Sequence, residues 1–132
     1  MYLSDIRAGF LSWLQGKCTT ETICADILPS SQSGGIAYLI HRIDYEDVLP
    51  GSQTLTKVVF EVDIGKLTRA ATDLIVSQIT TLSFRESTTD FQDIEIIEIA
   101  DIPYDNESKF FGAVISVECT LRYADGKRPA QS

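Results

Sequence analysis

The chain has 132 residues, 44% of them apolar, with 11 basic against 19 acidic side chains and a net charge of −8. That length suits one domain with one core and is too short for two. An acidic balance of this size argues against a protein that grips nucleic acid, which needs a Lys/Arg face to displace counterions from phosphates.

No apolar run approaches the roughly 18 residues of a membrane span, so no membrane role is expected. The start, Met1 to Arg7, lacks the basic and apolar regions of a signal peptide, and a protein made and kept inside a cell is expected. Cys18, Cys24 and Cys119 are odd in number and show no CxxC spacing. With His41 as the only histidine, neither a disulfide framework nor a zinc site is expected. Cys119 sits in an alternating apolar stretch and reads as a small buried hydrophobe.

In chain order, Leu3, Ile6, Phe10, Trp13 and Leu14 recur at helical spacing, which predicts an amphipathic helix from Tyr2 to Gly16. Thr19 to Leu28 reads as one short helical turn stopped by Pro29. The run Pro29 to Gly35 is a loop by composition. Ile36 to Tyr45 is rich in β-formers and predicts the first strand, followed by a turn-rich connection from Glu46 to Gln53 with Pro50-Gly51 as its strongest mark. In the second strand Thr56, Val58, Phe60, Val62 and Ile64 face one way, and Lys57, Val59, Glu61 and Asp63 the other. Such alternation suits an antiparallel sheet with one buried face.

From Lys66 to Leu82 the period changes, and Leu67, Ala70, Ala71, Leu74, Ile75, Ile79 and Leu82 form one helical arc. Gln78 falls inside that arc and reads as a satisfied core amide. Ile94, Ile96 and Ile99 mark the third strand, where the slip at Ile96-Ile97 fits a β-bulge. A loop from Asp101 to Ser108 leads into the last strand, Phe111 to Tyr123, whose alternation is unbroken. Residues 1–125 are expected to form one domain, with 126–132 as a flexible tail. The sum is an α+β fold: an N-terminal helix plus ββαββ, with a four-stranded, largely antiparallel sheet and a helix packed on one face. Val59 and Val114 would be exposed on the second face of an isolated copy.

Motifs that carry chemistry are absent. His41 lies in an apolar strand without a nucleophile motif, so a structural role is the better reading and no enzyme is expected. No glycine-rich phosphate loop occurs, and the cluster Asp44, Glu46, Asp47 lacks an EF-hand spacing. No cofactor is expected. From Glu86 to Glu107 there are eight acids and no Lys or Arg. This stretch is either a solvated face or a surface that repels a polyanion.

Several segments together resemble the tail-completion family of tailed bacteriophages, which includes the lambda-type tail terminators. They are the N-terminal helix with its Pro/Gly loop, the strand Ile36 to Asp44 containing AYLIHRID, and KVVFEVDIGKLTRAATDLIVSQITTL (Lys57 to Leu82). DIEIIEIADIPYD (Asp93 to Asp105) and FFGAVISVECTLRYAD (Phe110 to Asp125) complete the pattern, a matter of periods and not of catalytic letters. The resemblance implies a virion protein of the tail or neck, assembled in the host bacterial cytoplasm. It implies a homo-hexameric ring that caps the head-proximal end of the tail tube. Its partners would be further copies of itself, the tail-tube protein and a head-completion or connector protein. DNA would pass through the ring without sequence-specific binding. Candidate contact residues are Val48, Leu49, Pro50, Gly51 and Ser52 in one connection and Ile102, Pro103 and Tyr104 in the other. Asp93 and Glu95 are candidate channel acids, where like charge would let DNA slide without sticking. Two other readings remain open: a different neck or connector protein, and a ferredoxin-like regulatory module that binds a small ligand.

Overall fold

A computed structural model describes residues 3–29, 32–49, 53–82 and 86–121, with backbone alone at 46–49 and 53–55. The elements in chain order are α1 (Leu3–Lys17), β1 (Ile23–Ala25), β2 (Gly34–Leu49), β3 (Gln53–Lys66), α2 (Arg69–Thr80), β4 (Phe91–Asp105) and β5 (Phe110–Leu121). The α+β class holds, but the sheet has five strands in the order β1-β2-β3-β5-β4. It is mixed, because β1 runs parallel to β2 while the other pairs are antiparallel.

The added strand replaces the helical turn expected between Thr19 and Leu28. Ile23 pairs with Ile36 and Ala25 with Tyr38, so three residues are held by a partner distant in sequence. Thr19, Thr20, Thr22 and Ile23 are β-branched and resist a helix. Asp26, at φ 70°, turns the chain out while its N–H donates to the Tyr38 carbonyl at 2.9 Å.

α1 extends one residue past Gly16, and it buries Ile6, Gly9, Phe10, Trp13 and Leu14, while Leu3 stays at the rim. Phe10 stacks on Phe60 with ring centroids 3.8 Å apart, and Phe91 meets Phe60 edge-on at 6.4 Å. Both helices lie on this face, over Val58, Phe60, Val62, Ile64, Ala113, Ile115, Val117, Cys119 and Leu121. Cys119 is fully buried, as its alternation predicted, and burial pushes its thiol well above the ordinary range.

α2 starts at a Thr68 N-cap, whose Oγ1 accepts the Ala71 N–H at 3.1 Å. Its buried stripe is Thr72, Ile75 and Ile79, so the predicted arc holds at Ile75 and Ile79 but not at Leu67, Ala70 or Leu74. Leu67 lies before the cap and is 52% exposed, Leu74 is 60% exposed, and Gln78 faces outward instead of serving as a core amide. The reason is Thr72, whose hydroxyl donates to the Phe111 carbonyl at 2.7 Å and so rolls the helix toward its own side. Leu74→Ala should therefore shift stability by no more than about 0.5 kcal/mol, whereas Ile75→Ala should cost about 2–5 kcal/mol. Urea titration of the two variants checks the helix register.

Two predicted connections are strand. β2 and β3 pair out to Leu49↔Gln53, so the expected turn from Glu46 to Gln53 shrinks to the three residues Pro50, Gly51 and Ser52, which lie outside the described residues. β4 runs through Asp101–Asp105, and only Asn106 to Lys109 turn. The Asp105 carboxylate holds that turn by accepting the N–H groups of Glu107 and Ser108, both at 3.2 Å. Hydrogen bonds from Ser108 and Glu107 keep this carboxyl below its usual range. The predicted bulge is present: Ile96 pairs with Val117 and Glu98 with Ser116, leaving Ile97 over. The expected tail and Tyr123 lie outside the described residues.

Candidate functional site

Among the described residues no helix packs on the second face of the sheet. Register places Arg42 and Asp44 of β2, Lys57, Val59, Glu61 and Asp63 of β3, and Val114, Ser116 and Glu118 of β5 on it. Asp93, Glu95 and Glu98 of β4 continue the same face. These strand positions bear seven carboxylates (Asp44, Glu61, Asp63, Asp93, Glu95, Glu98, Glu118) against two cations, Arg42 and Lys57, and Asp105 opposite Phe110 adds an eighth at the far end of β4. Val59, expected to be exposed here, is 1% exposed, and Val114 is half-buried. Val59 has Arg42 and Glu118 as its cross-strand neighbours, and Glu118 stands 3.7 Å from the Lys57 ammonium.

The candidate channel acids Asp93 and Glu95 fall within this face, opposite Thr120 and Glu118. The Asp93 charge is the main reason that the Glu95 carboxyl lies above its usual range, with the Glu118 charge adding to it. Partial burial, reinforced by Glu61, pushes the Asp63 carboxyl up to about 6. A raised carboxyl pKa means that ionisation opposes folding. Asp63 therefore stabilises the fold fully below pH 4 and loses that contribution as pH rises through about 6. Asp63→Asn should flatten this part of the profile of melting temperature against pH and raise stability at pH 7. A decline between pH 4 and 7 that is unchanged in the variant would contradict the assignment.

The alternation in β3 and β5 did reveal Glu61, Asp63 and Glu118 as outward residues. Nothing in that local alternation showed that they would join the β4 acids on one surface. That required the strand order, in which β5 lies between β3 and β4.

The candidate contact residues do not form one surface. Leu49 and Val48 lie at the end of β2, with Val48 at a register shift, next to the start of β3. Ile102 and Tyr104 lie at the far end of β4 and are 42% and 43% exposed, with Pro103 exposed between them. β3 pairs with β5 from Lys57↔Thr120 to Lys66↔Phe111, so the β2–β3 tip and the β4–β5 turn sit at opposite ends of the sheet. At the β4–β5 end, Gly35, Gly65, Gly112 and Ile102 align across the strands. The missing side chains admit Pro29 beside Gly35, Phe110 beside Gly65 and Ile102 beside Gly112. A shallow cleft of about 250 Å³ remains there, with Asp63 on its wall.

Arg69 fastens this end of β4. Its guanidinium donates to the Gly112 and Ile102 carbonyls at 2.8 and 2.9 Å and stands 3.6 Å from the Asp101 carboxylate. On the helical side, an open cleft between α1 and residues 86–90 is lined by Trp13, Lys17, Glu86 and Asp90. Glu86 takes both the Trp13 indole N–H at 3.1 Å and the Lys17 ammonium at 2.9 Å.

His41 stands exposed at the β2 bulge between Ile40 and Arg42. No group of His, Cys, Asp and Glu among the described residues is arranged to hold a metal ion. No described helix is long and apolar enough to cross a membrane. Comparison with protein-family models returned no match for this chain, and comparison with curated proteins returned none.

Proposed function

We propose that the chain is a ring-forming structural subunit of a phage tail, a tail terminator that caps the head-proximal end of the tube. The observation that carries this reading is the sheet face on which no described helix packs and eight carboxylates stand against two cations. Turned inward in a ring, such faces form a wall that offers DNA no binding wells, because like charge repels the phosphates throughout. The helices then form the outer wall. With the strands along the ring axis, the β2–β3 tip and the β4–β5 turn project from opposite rims. One rim meets the tail tube and the other the head-completion protein, and six copies close the ring.

Sedimentation of the purified chain across concentrations, followed by electron microscopy, tests the reading. The expected result is a six-membered ring with an open centre that binds tube ends. A chain that stays monomeric at every concentration and leaves tube length unregulated would overturn it. Particles carrying Asp93→Lys with Glu95→Lys should assemble normally yet release DNA more slowly, and unchanged ejection kinetics would remove these acids from the channel wall.

A further inference from the structure

The two lateral edges of the sheet differ. On one side β4 pairs with β5 alone among the described strands; Glu86 and Thr88 bond its backbone at Ile94 and Phe91, and Arg69 the Ile102 carbonyl, but no described strand joins its other edge from Glu95 to Asp101. On the other side β1 covers β2 only from Ile36 to Tyr38, and no described strand covers β2 from Leu39 onward. Ile97, Ile99 and Ile102 are 44%, 50% and 42% exposed along β4. A long, apolar edge strand of this kind is a template for pairing with another chain.

We infer that β4 of one copy pairs antiparallel with the open stretch of β2, Leu39 to Tyr45, of the next copy. This rests on the ring reading above and specifies its subunit interface. Three observations select the second copy and this pairing.

The first is direction. β2 and β5 run one way, β3 and β4 the other. Rotation about an axis parallel to the strands preserves these directions. A β4 edge therefore meets the next β2 antiparallel, in a head-to-tail contact that can close.

The second is charge. β4 carries Asp93, Glu95, Glu98, Asp101 and Asp105 and no base, so a two-fold β4–β4 contact would set acids against acids. The β2 stretch offers Arg42 instead. Its present partner is Asp44 at 2.9 Å, in a pair half open to solvent. Such a pair is weak enough to exchange.

The third is the match of faces. Setting Glu98 across from Arg42 puts both on the acidic face. It also brings Ile96 and Ile99 beside Ile43 and Ile40 on the helical face, where each of these side chains is at least partly accessible.

Disulfide trapping in the full chain tests this, with Cys24→Ser removing the one thiol that is not buried. In that background, Arg42→Cys together with Glu98→Cys should give a ladder of cross-linked multimers under mild oxidation. Either cysteine alone should give none. Separately, Glu98→Arg or Arg42→Glu should weaken self-association by about tenfold or more, and the two combined should recover most of it. Circular dichroism confirms that each variant folds. Rings that form but do not cross-link at these positions overturn the β4–β2 interface and leave the ring reading standing. Dimers trapped by Glu98→Cys alone overturn it in favour of a β4–β4 contact. Cross-linked open chains that never close sustain the interface and overturn the ring, and a chain that never self-associates overturns both.

Discussion

Phe10→Ala is expected to cost about 3–5 kcal/mol of folding stability. Phe10 is fully buried and touches three aromatic neighbours: it stacks on Phe60 at 3.8 Å and lies 5.4 Å from Trp13 and 6.0 Å from Tyr38. Truncation leaves a ring-sized void between α1 and the sheet that backbone elements cannot collapse into, because the packed interior yields little. Among the described residues no backbone hydrogen bond joins α1 to the sheet, so side-chain packing of this kind holds it there. For a domain of this size the loss corresponds to a fall in melting temperature of roughly 10–20 °C. Phe10→Leu retains most of the volume and should cost markedly less. A change below about 1 kcal/mol for the alanine variant, well under the range for a buried ring, would mean that α1 is not seated on Phe60.

Gly34→Ala is the second large effect, and it acts through the backbone. Gly34 begins β2 at φ +81°, a region that L side chains rarely adopt. A methyl group there would fall on the Gly65 carbonyl oxygen, with the Phe110 ring close behind. Strain in this region costs on the order of 1–3 kcal/mol by itself, and the backbone clash adds to it. The strand entry must shift, and with it the pairing of Gly34 with Lys66 and Gly35 with Gly65. Gly16→Ala is the matched control. Nothing lies within 4 Å of its added carbon, and it sits inside α1. That variant should gain about 0.5–1 kcal/mol from helix propensity. Equal stabilities for the two variants in thermal unfolding would overturn the account of Gly34.

The candidate surface depends on these same packing contacts, since the aromatic layer fixes which sheet face is covered. With α1 and α2 both committed to the Phe60 side, no described element packs over the carboxylates of β3, β4 and β5. Stability and the proposed channel wall are therefore two consequences of one decision about where the helices pack.

Period alone located both helices, the four long strands, the bulge at Ile97 and the burial of Cys119. Each depends on side-chain alternation within a few residues, which a local pattern carries. The extra strand at Ile23–Ala25 was not legible, because three residues become a strand only when Ile36, Ala37 and Tyr38 lie alongside. The exposure of Leu74 was hidden for a similar reason. The helical arc admitted several rotations, and a Thr72 hydroxyl bonding Phe111 across 39 residues chose among them. The extension of β2 and β4 through stretches rich in turn residues likewise came from long cross-strand ladders overriding local preference. The acidity of individual strands belongs to the sequence by itself. Their union into one uncovered face, and the separation of the two candidate contact loops to opposite ends, were decided only by strand order, because charges distant along the chain become neighbours solely through the pairing that folding selects.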